Sequence, residues 1–421
     1  MEHPFWKTRF LLKSQKDLQR LRDSAVRELW IDTSKGLDIA LGQTEAEVAS
    51  QTEAVLQAAA ESAPLVERVA FDIEVQRAIR LCHRSKEAVI EMFGDVRLGR
   101  AVDTEEARGL VEEITQSVAR HPNALISLVR LKKADEYTYM HSVAVCALMV
   151  ALARQLGLDE ATIREAGLAG LFHDVGKVAI PDEILNKPGK LTDAEFAIVR
   201  GHPEAGSQFL MASPEVSELA LEVCLHHHEK MDGSGYPHHL KGEEISLFAR
   251  MGAVCDVYDA ITSDRPYKKG WNPAESIRKM AEWSKGHFDE PIFQAFVKSV
   301  GIYPTGSLVR LESGRLGVVL EQHEQSLLTP LVKVFFSAKT KTPLMVETID
   351  LSKLIGRDKI VARESAEDWG FRNIEELWSG IPSKRSLQQA RSAKLKQQHL
   401  LSPAGRGDKG AFARSCGSDA N

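Results

Sequence analysis

Between residues 126 and 300 the sequence is a series of apolar helical stretches, and histidines or aspartates break into them. The densest stretch, Val143 to Ala153, is apolar all round and reads as a buried helix, with His141 at its head. His173-Asp174 closes the next stretch, His202 a third and His227-His228 a fourth; Asp256 sits between Val254 and Val257 in another. One buried histidine is ordinarily a satisfied core or capping residue. Five such helical positions are harder to explain that way, because burying several ionisable groups without partners costs several kcal/mol. A divalent metal pair removes that cost by bonding to their lone pairs.

Composition narrows the kind of centre. Eight of the 14 histidines fall between His141 and His239. The five cysteines (Cys82, Cys146, Cys224, Cys255, Cys416) are scattered, with no paired spacing. That fits a reducing compartment and favours nitrogen and oxygen ligands over a cysteine zinc site. With 421 residues, 43% hydrophobic and 27% charged, the chain suits two or three globular modules. Full-length disorder, a collagen-like fibre and a disulfide scaffold are excluded. A net charge of −5 is wrong for a chain that coats nucleic acid, so no nucleic-acid partner is expected. The N-terminal stretch is broken by Lys7, Arg9 and Lys13, unlike a signal peptide, and Val143–Ala153 is too short to span a bilayer. A cytoplasmic protein with no membrane segment is expected.

The expected fold class is mainly α: a helical bundle, with a small mixed N-terminal module and a small β appendage after the catalytic domain. Residues 1–42 form the mixed module, with a helix starting near Ser14–Asp17 and a strand at Leu29–Ile31. Residues 43–65 read as a linker, 66–125 as connecting helices and 126–303 as the catalytic domain. Thr192-Asp-Ala-Glu195 is a capping box opening one of its helices. Residues 304–362 read as the β appendage, with three strands and a hairpin, and 363–421 as a C-terminal extension, basic and disordered from about 384.

The candidate ligands are His141, His173, Asp174, His202, His227, His228 and Asp256. A carboxylate can bridge two ions whereas an imidazole binds one, and Asp174 is the natural bridge. Two metals about 3.5–4 Å apart suit phosphoester hydrolysis, polarising the phosphoryl oxygen and activating the attacking water. Mixed imidazole and carboxylate ligands favour Fe or Mn.

These residues carry a family resemblance. His173-Asp-Val-Gly-Lys177, His202-Pro203, His227-His-Glu229 and Asp232-Gly-Ser-Gly-Tyr-Pro237 resemble the HD-GYP family, a branch of the HD metal-dependent phosphohydrolases. Val254-Cys-Asp256 through Arg265-Pro-Tyr-Lys268 resembles its last helix and exit loop. The resemblance implies an HD-type helical bundle that hydrolyses cyclic di-GMP to linear pGpG and onward to GMP. It makes the seven residues above metal ligands. It places Lys177 near the scissile phosphate, gives Arg265 and Lys268 phosphate contacts, and links Asp135 to proton transfer. Tyr137 stands where relatives with three metals carry Glu, so two divalent ions are expected.

Other residues have blander expected roles. Glu229 orients a histidine ligand, Asp259 is structural, His226 is a bystander, His238 and His239 are surface residues, and Tyr236 shapes the mouth of the site. In the family that these residues resemble, the loop matching the one that holds Tyr236 is implicated in contacts with diguanylate cyclase (GGDEF) partners, so such a partner is expected here, and a homodimer is a further partner expectation. Residues 4–39 resemble an accessory domain often found before HD-GYP domains, lacking its earlier strands. Two alternative functions compete: a weakly catalytic or non-catalytic cyclic di-GMP sensor, and a phosphodiesterase for another cyclic dinucleotide.

Overall fold

The structure is a computed structural model. It describes residues 69–382 apart from 132–136, 265–268, 324–325 and 355, with short pieces of the first 54 residues (14–22, 31–32, 44, 46–48, 50–51 and 54). The chain divides into two compact units, Met1–Gln51 and Thr52–Asn421. In the first unit, helix α1 (Gln15–Arg22) starts where the Ser14–Asp17 signal predicts. Leu29 and Trp30 of the expected strand lie outside the described residues, as does 383–421.

The second unit is mainly helical. Its first helices are α2 (Phe71–Arg97), α3 (Thr104–Arg120) and α4 (Pro122–Val129). Asp103 caps α3 through the Glu106 amide, and Pro122 opens α4 where no amide donor is needed. Helix α5 (Tyr137–Gln155) is the centre, packed against α2, α3, α6 (Glu160–Phe172), α11 (Leu247–Thr262) and α13 (Glu290–Val300). Every residue from Val143 to Ala153 is buried, as an all-round apolar helix requires. Each large apolar side chain there contributes about 1.5–3 kcal/mol.

Two glycines set how closely α6 approaches α5. A Cβ on Gly170 would stand 3.0 Å from the Cys146 backbone, and one on Gly167 would stand 2.8 Å from Val111 and Val150. Larger residues would push α6 away from the central helix.

Between α6 and α11 lie a 3-10 turn (Val175–Ala179), α7 (Asp182–Leu185), α8 (Asp193–Arg200), α9 (His202–Met211) and α10 (Glu218–His226). The Thr192–Glu195 capping box forms at α8, and Lys187 also holds Glu195. Helix α12 (Pro273–His287) completes the bundle with α13.

The appendage has five strands rather than the three expected: β1 (Leu308–Leu311), β2 (Arg315–His323), β3 (Ser326–Ser337), β4 (Thr342–Asp350) and β5 (Ile360–Arg363). They form an antiparallel sheet ordered β4-β3-β2-β1-β5. The two extra strands were hard to read because β4 is mostly exposed and β5 is short, so neither shows a strong apolar pattern. After β5, Trp369 and Phe371 pack on Phe336, and α14 (Glu375–Ser379) buries Trp378. His121–Glu321 (2.9 Å) and Arg130–Thr305 carbonyl (2.7 Å) tie the sheet to the helices. No helix among the described residues is long and apolar enough to cross a membrane.

Candidate metal centre

Four helix ends and one helix interior converge. His141 lies in the first turns of α5, and His173 follows the last residue of α6 with Asp174 next. His202 opens α9, His227 caps the C-terminus of α10 with His228 beside it, and Asp256 projects from the middle of α11. Gly176 makes the junction of α6 and α9 feasible. A Cβ there would collide with the His202 carbonyl and the Gly206 amide.

The nitrogens fall into two clusters, His141/His173 with Asp174 and His202/His227/His228. Asp174 lies between them. Its Oδ2 is 3.4 Å from His141 Nε2 and 3.3 Å from His173 Nε2. Its Oδ1 is 3.2 Å from His202 Nε2 and 3.8 Å from His227 Nε2. Asp256 also faces both ways: Oδ1 is 2.9 Å from His141 Nε2, and Oδ2 is 3.8 Å from His228 Nδ1.

Backbone carbonyls assign the tautomers of three rings. His173 Nδ1 donates to the Gly170 carbonyl (2.8 Å) and His202 Nδ1 to the Val199 carbonyl (2.7 Å). His227 Nδ1 shares the Val223 and Cys224 carbonyls at 3.0 Å. In the neutral rings the remaining Nε2 atoms are therefore lone pairs. Two of them, His202 and His227, point at each other across 3.4 Å, and Asp174 Oδ1 is buried without a hydrogen bond. Convergent lone pairs repel unless a cation lies among them, so this donor set fits divalent metal ions.

The titration directions of His227 and His228 agree. Burial pushes His227 well below the usual histidine range, with the neighbouring histidines adding to it. Burial likewise lowers His228, to about 3. Both rings are neutral at neutral pH and ready to bind metal. Burial alone would raise Asp174, but Lys177 and His173 outweigh it and hold the carboxyl well below its usual value. Asp256 behaves the same way, with His141 the main opposing partner. Burial would lower His173, but Asp174 outweighs it and the ring is raised.

Lys177 ion-pairs with Asp174 Oδ2. Asp135, Arg265 and Lys268 lie outside the described residues, and nothing is described of the Tyr137 side chain. Four expectations need adjusting. Glu229 accepts from the backbone amide of His238 at 2.7 Å, so it anchors the loop after Pro237 instead of a histidine ring. Asp259 touches the centre, with Oδ2 2.6 Å from His141 Nδ1. Tyr236 does more than edge the mouth: its ring stacks on His228 at 4.7 Å. Burial raises its phenol well above the usual range, and Asp256 and Asp174 add to the rise. His238, though exposed, pairs with His226 at 3.0 Å; His239 is exposed. His226, as a bystander, is further held by Glu222.

Sequence reasoning missed Arg200. Its exposed guanidinium lies 5.2 Å from the Tyr236 ring centroid and 4.7 Å from that of Phe196. An arginine ending a surface helix carries no local signal of this; only folding of the 232–237 loop brings Tyr236 beside it. Gly235 allows that loop to lie against the chain at 228–230, since a Cβ there would collide with Glu229 and Lys230.

Comparison with known proteins fits this geometry. Residues 114–292 match the HD domain model, and residues 1–107 match a domain of unknown function (DUF3391). The chain is 63% identical over 382 residues to a cyclic di-GMP phosphodiesterase of Pseudomonas aeruginosa, covering 90% of this chain and 91% of that protein. It is 43% identical over 155 residues to a 3'3'-cGAMP-specific phosphodiesterase of Vibrio cholerae, covering 37% of this chain and 30% of that one. Among solved structures, an HDG"Y"P protein from Bdellovibrio bacteriovorus is 18% identical, with a TM-score of 0.45, over 67% of this chain and 85% of that one. With the His-Asp pair, the paired histidines and the Gly-Tyr-Pro loop all gathered around one centre, and with that whole-length relative, the chain belongs to the HD-GYP family of HD-domain proteins.

Proposed function

We propose that the protein is a metal-dependent phosphodiesterase that opens cyclic di-GMP to linear pGpG and carries it on to GMP. The observation that carries this reading is Asp174, which turns one carboxylate oxygen to each histidine cluster. The substrate class is supported by the whole-length relative named as a cyclic di-GMP phosphodiesterase. His141, His173, Asp174 and Asp256 would hold one ion; His202, His227 and His228, sharing Asp174, would hold the other. Imidazoles mixed with carboxylates suit Fe or Mn. When bound, the pair supplies Lewis acidity to the phosphodiester and to the attacking water.

The chain's own residues handle the substrate's charge and position. A cyclic dinucleotide carries two phosphate charges. Lys177 sets an ammonium at Asp174, close to the reacting diester, and Arg200 sets a guanidinium at the rim beside Tyr236. Tyr236, stacked on His228, screens that ligand from water. Arg265 and Lys268 complete the phosphate clamp and Asp135 serves proton transfer, as the family resemblance implies. A cytoplasmic location and a diguanylate cyclase contact through residues 232–237 belong to the same reading.

The test is a product assay on anaerobically purified protein, with metal analysis, across several cyclic dinucleotides. Fe- or Mn-dependent release of pGpG is expected, and it is lost in Asp174→Ala and in His173→Ala. Activity surviving both substitutions would end the proposal. The 43% identity to a cGAMP-specific enzyme favours cyclic GMP–AMP as the competing substrate, and the same assay decides between them.

A further inference from the structure

The ligand-bearing rings are not backed alike. His173, His202 and His227 each give Nδ1 to backbone carbonyls. His141 alone among these four gives Nδ1 to a carboxylate, Asp259 Oδ2, at 2.6 Å. Both residues are buried, His141 at 1% and Asp259 at 3% exposure. The other Asp259 oxygen accepts from Ser263 Oγ at 3.2 Å, one turn further along α11. Asp256 and Asp259 lie three apart on one face of that helix, so one element grips both edges of the His141 ring: Asp256 at Nε2 and Asp259 at Nδ1.

A carboxylate behind an imidazole fixes its orientation and makes the opposite nitrogen a better donor; a carbonyl does this less strongly. The charges are uneven too. The His141/His173 cluster has Asp256 Oδ1 beside it at 2.9 Å and Asp259 behind it, whereas the three imidazoles of the His202/His227/His228 cluster have the other Asp256 oxygen at the longer distance of 3.8 Å from His228. A dication gains more from the anionic side.

We propose that Asp259 is a positioning residue that makes the His141/His173/Asp174 cluster the first and tighter metal position, so that the centre loads in order. The inference rests on the two-metal reading above but concerns metal binding, not turnover.

The experiment titrates metal-stripped full-length protein with Mn²⁺ followed by calorimetry, and with Co²⁺ followed by its visible absorption. Wild type should bind two ions in resolved steps. Asp259→Asn keeps the shape and removes the charge. It should weaken the first step by about 10–100-fold and leave the second nearly unchanged, merging the steps. Asp259→Glu should restore part of the first step, which a merely structural role would not produce. Should Asp259→Asn fail to fold by circular dichroism, Ser263→Ala decides: it removes the Ser263 hydrogen bond to the second Asp259 oxygen and should weaken the first step alone. Wild-type affinity for the first ion in every folded variant, or weakening confined to the second ion, overturns the proposal. Wild-type protein that binds no ions overturns it together with the metal reading. Ordered loading without cyclic di-GMP turnover defeats the functional reading alone.

Discussion

His202 and His227 turn their Nε2 atoms toward each other at 3.4 Å, while each Nδ1 is committed to a backbone carbonyl. Two lone pairs in that position oppose each other, and a cation between them relieves the conflict. Metal removal should therefore be legible in stability. A ligand at about 100 times its Kd adds ~2.7 kcal/mol to the folded state. Chelator-treated protein should unfold several degrees lower than protein reloaded with Mn²⁺ or Fe²⁺, as followed by calorimetry. Equal melting temperatures would contradict the centre.

Arg200 has no carboxylate partner among the described residues, and its side chain is positioned by Phe196 and Tyr236. In Arg200→Ala, KM for cyclic di-GMP should rise about tenfold, equivalent to ~1.4 kcal/mol of binding, with kcat little changed. Raising the salt concentration should reduce the difference from wild type, because the contact is ionic and exposed. Steady-state kinetics at two ionic strengths checks this; a fall in kcat at constant KM would remove Arg200 from substrate binding.

Gly176 meets the backbone of α9, which cannot swing aside as a flexible side chain can. Gly176→Ala should cost about 1–3 kcal/mol by overpacking and displace His202 from Asp174. Denaturant unfolding measures the first effect and bound metal per chain the second. Full metal content at wild-type stability would show that this junction yields easily.

Glu74 is buried and receives hydrogen bonds from Arg120 at 2.7 and 2.9 Å and from Ser117 at 2.8 Å. Burial alone would raise its carboxyl; Arg120 and Ser117 outweigh burial and hold it below its usual 4.5. A depressed carboxyl stabilises the fold above its unfolded pKa and loses that contribution as the pH falls through the folded value. Glu74→Ala should lower stability at pH 7 by about 3 kcal/mol, the low end for breaking a buried pair, because Arg120 is partly exposed. The gap from wild type should shrink as the pH drops below 4.5. Thermal unfolding from pH 7 to 3 checks this; a gap that widens on acidification would reverse the sign.

The helical nature of the 126–300 region, the buried central helix and the identity of the clustered residues follow from the sequence alone. Periodicity and the cost of burying unpaired charge are local rules, and they single out His141, His173, Asp174, His202, His227, His228 and Asp256. The mid-helix place of Asp256 was legible too, but neither the rings it would meet nor the place of Asp259 behind His141. Strand β4 was not legible, because its exposed side chains do not alternate in the apolar way. Only the tertiary structure decides that Asp174 faces two clusters with different oxygens, that Asp259 stands behind His141 across 118 residues of chain, and that Arg200 meets Tyr236. These are contacts between segments remote in sequence. Their geometry is set by how closely the helices approach, through Gly167, Gly170 and Gly176, and no local pattern encodes that distance.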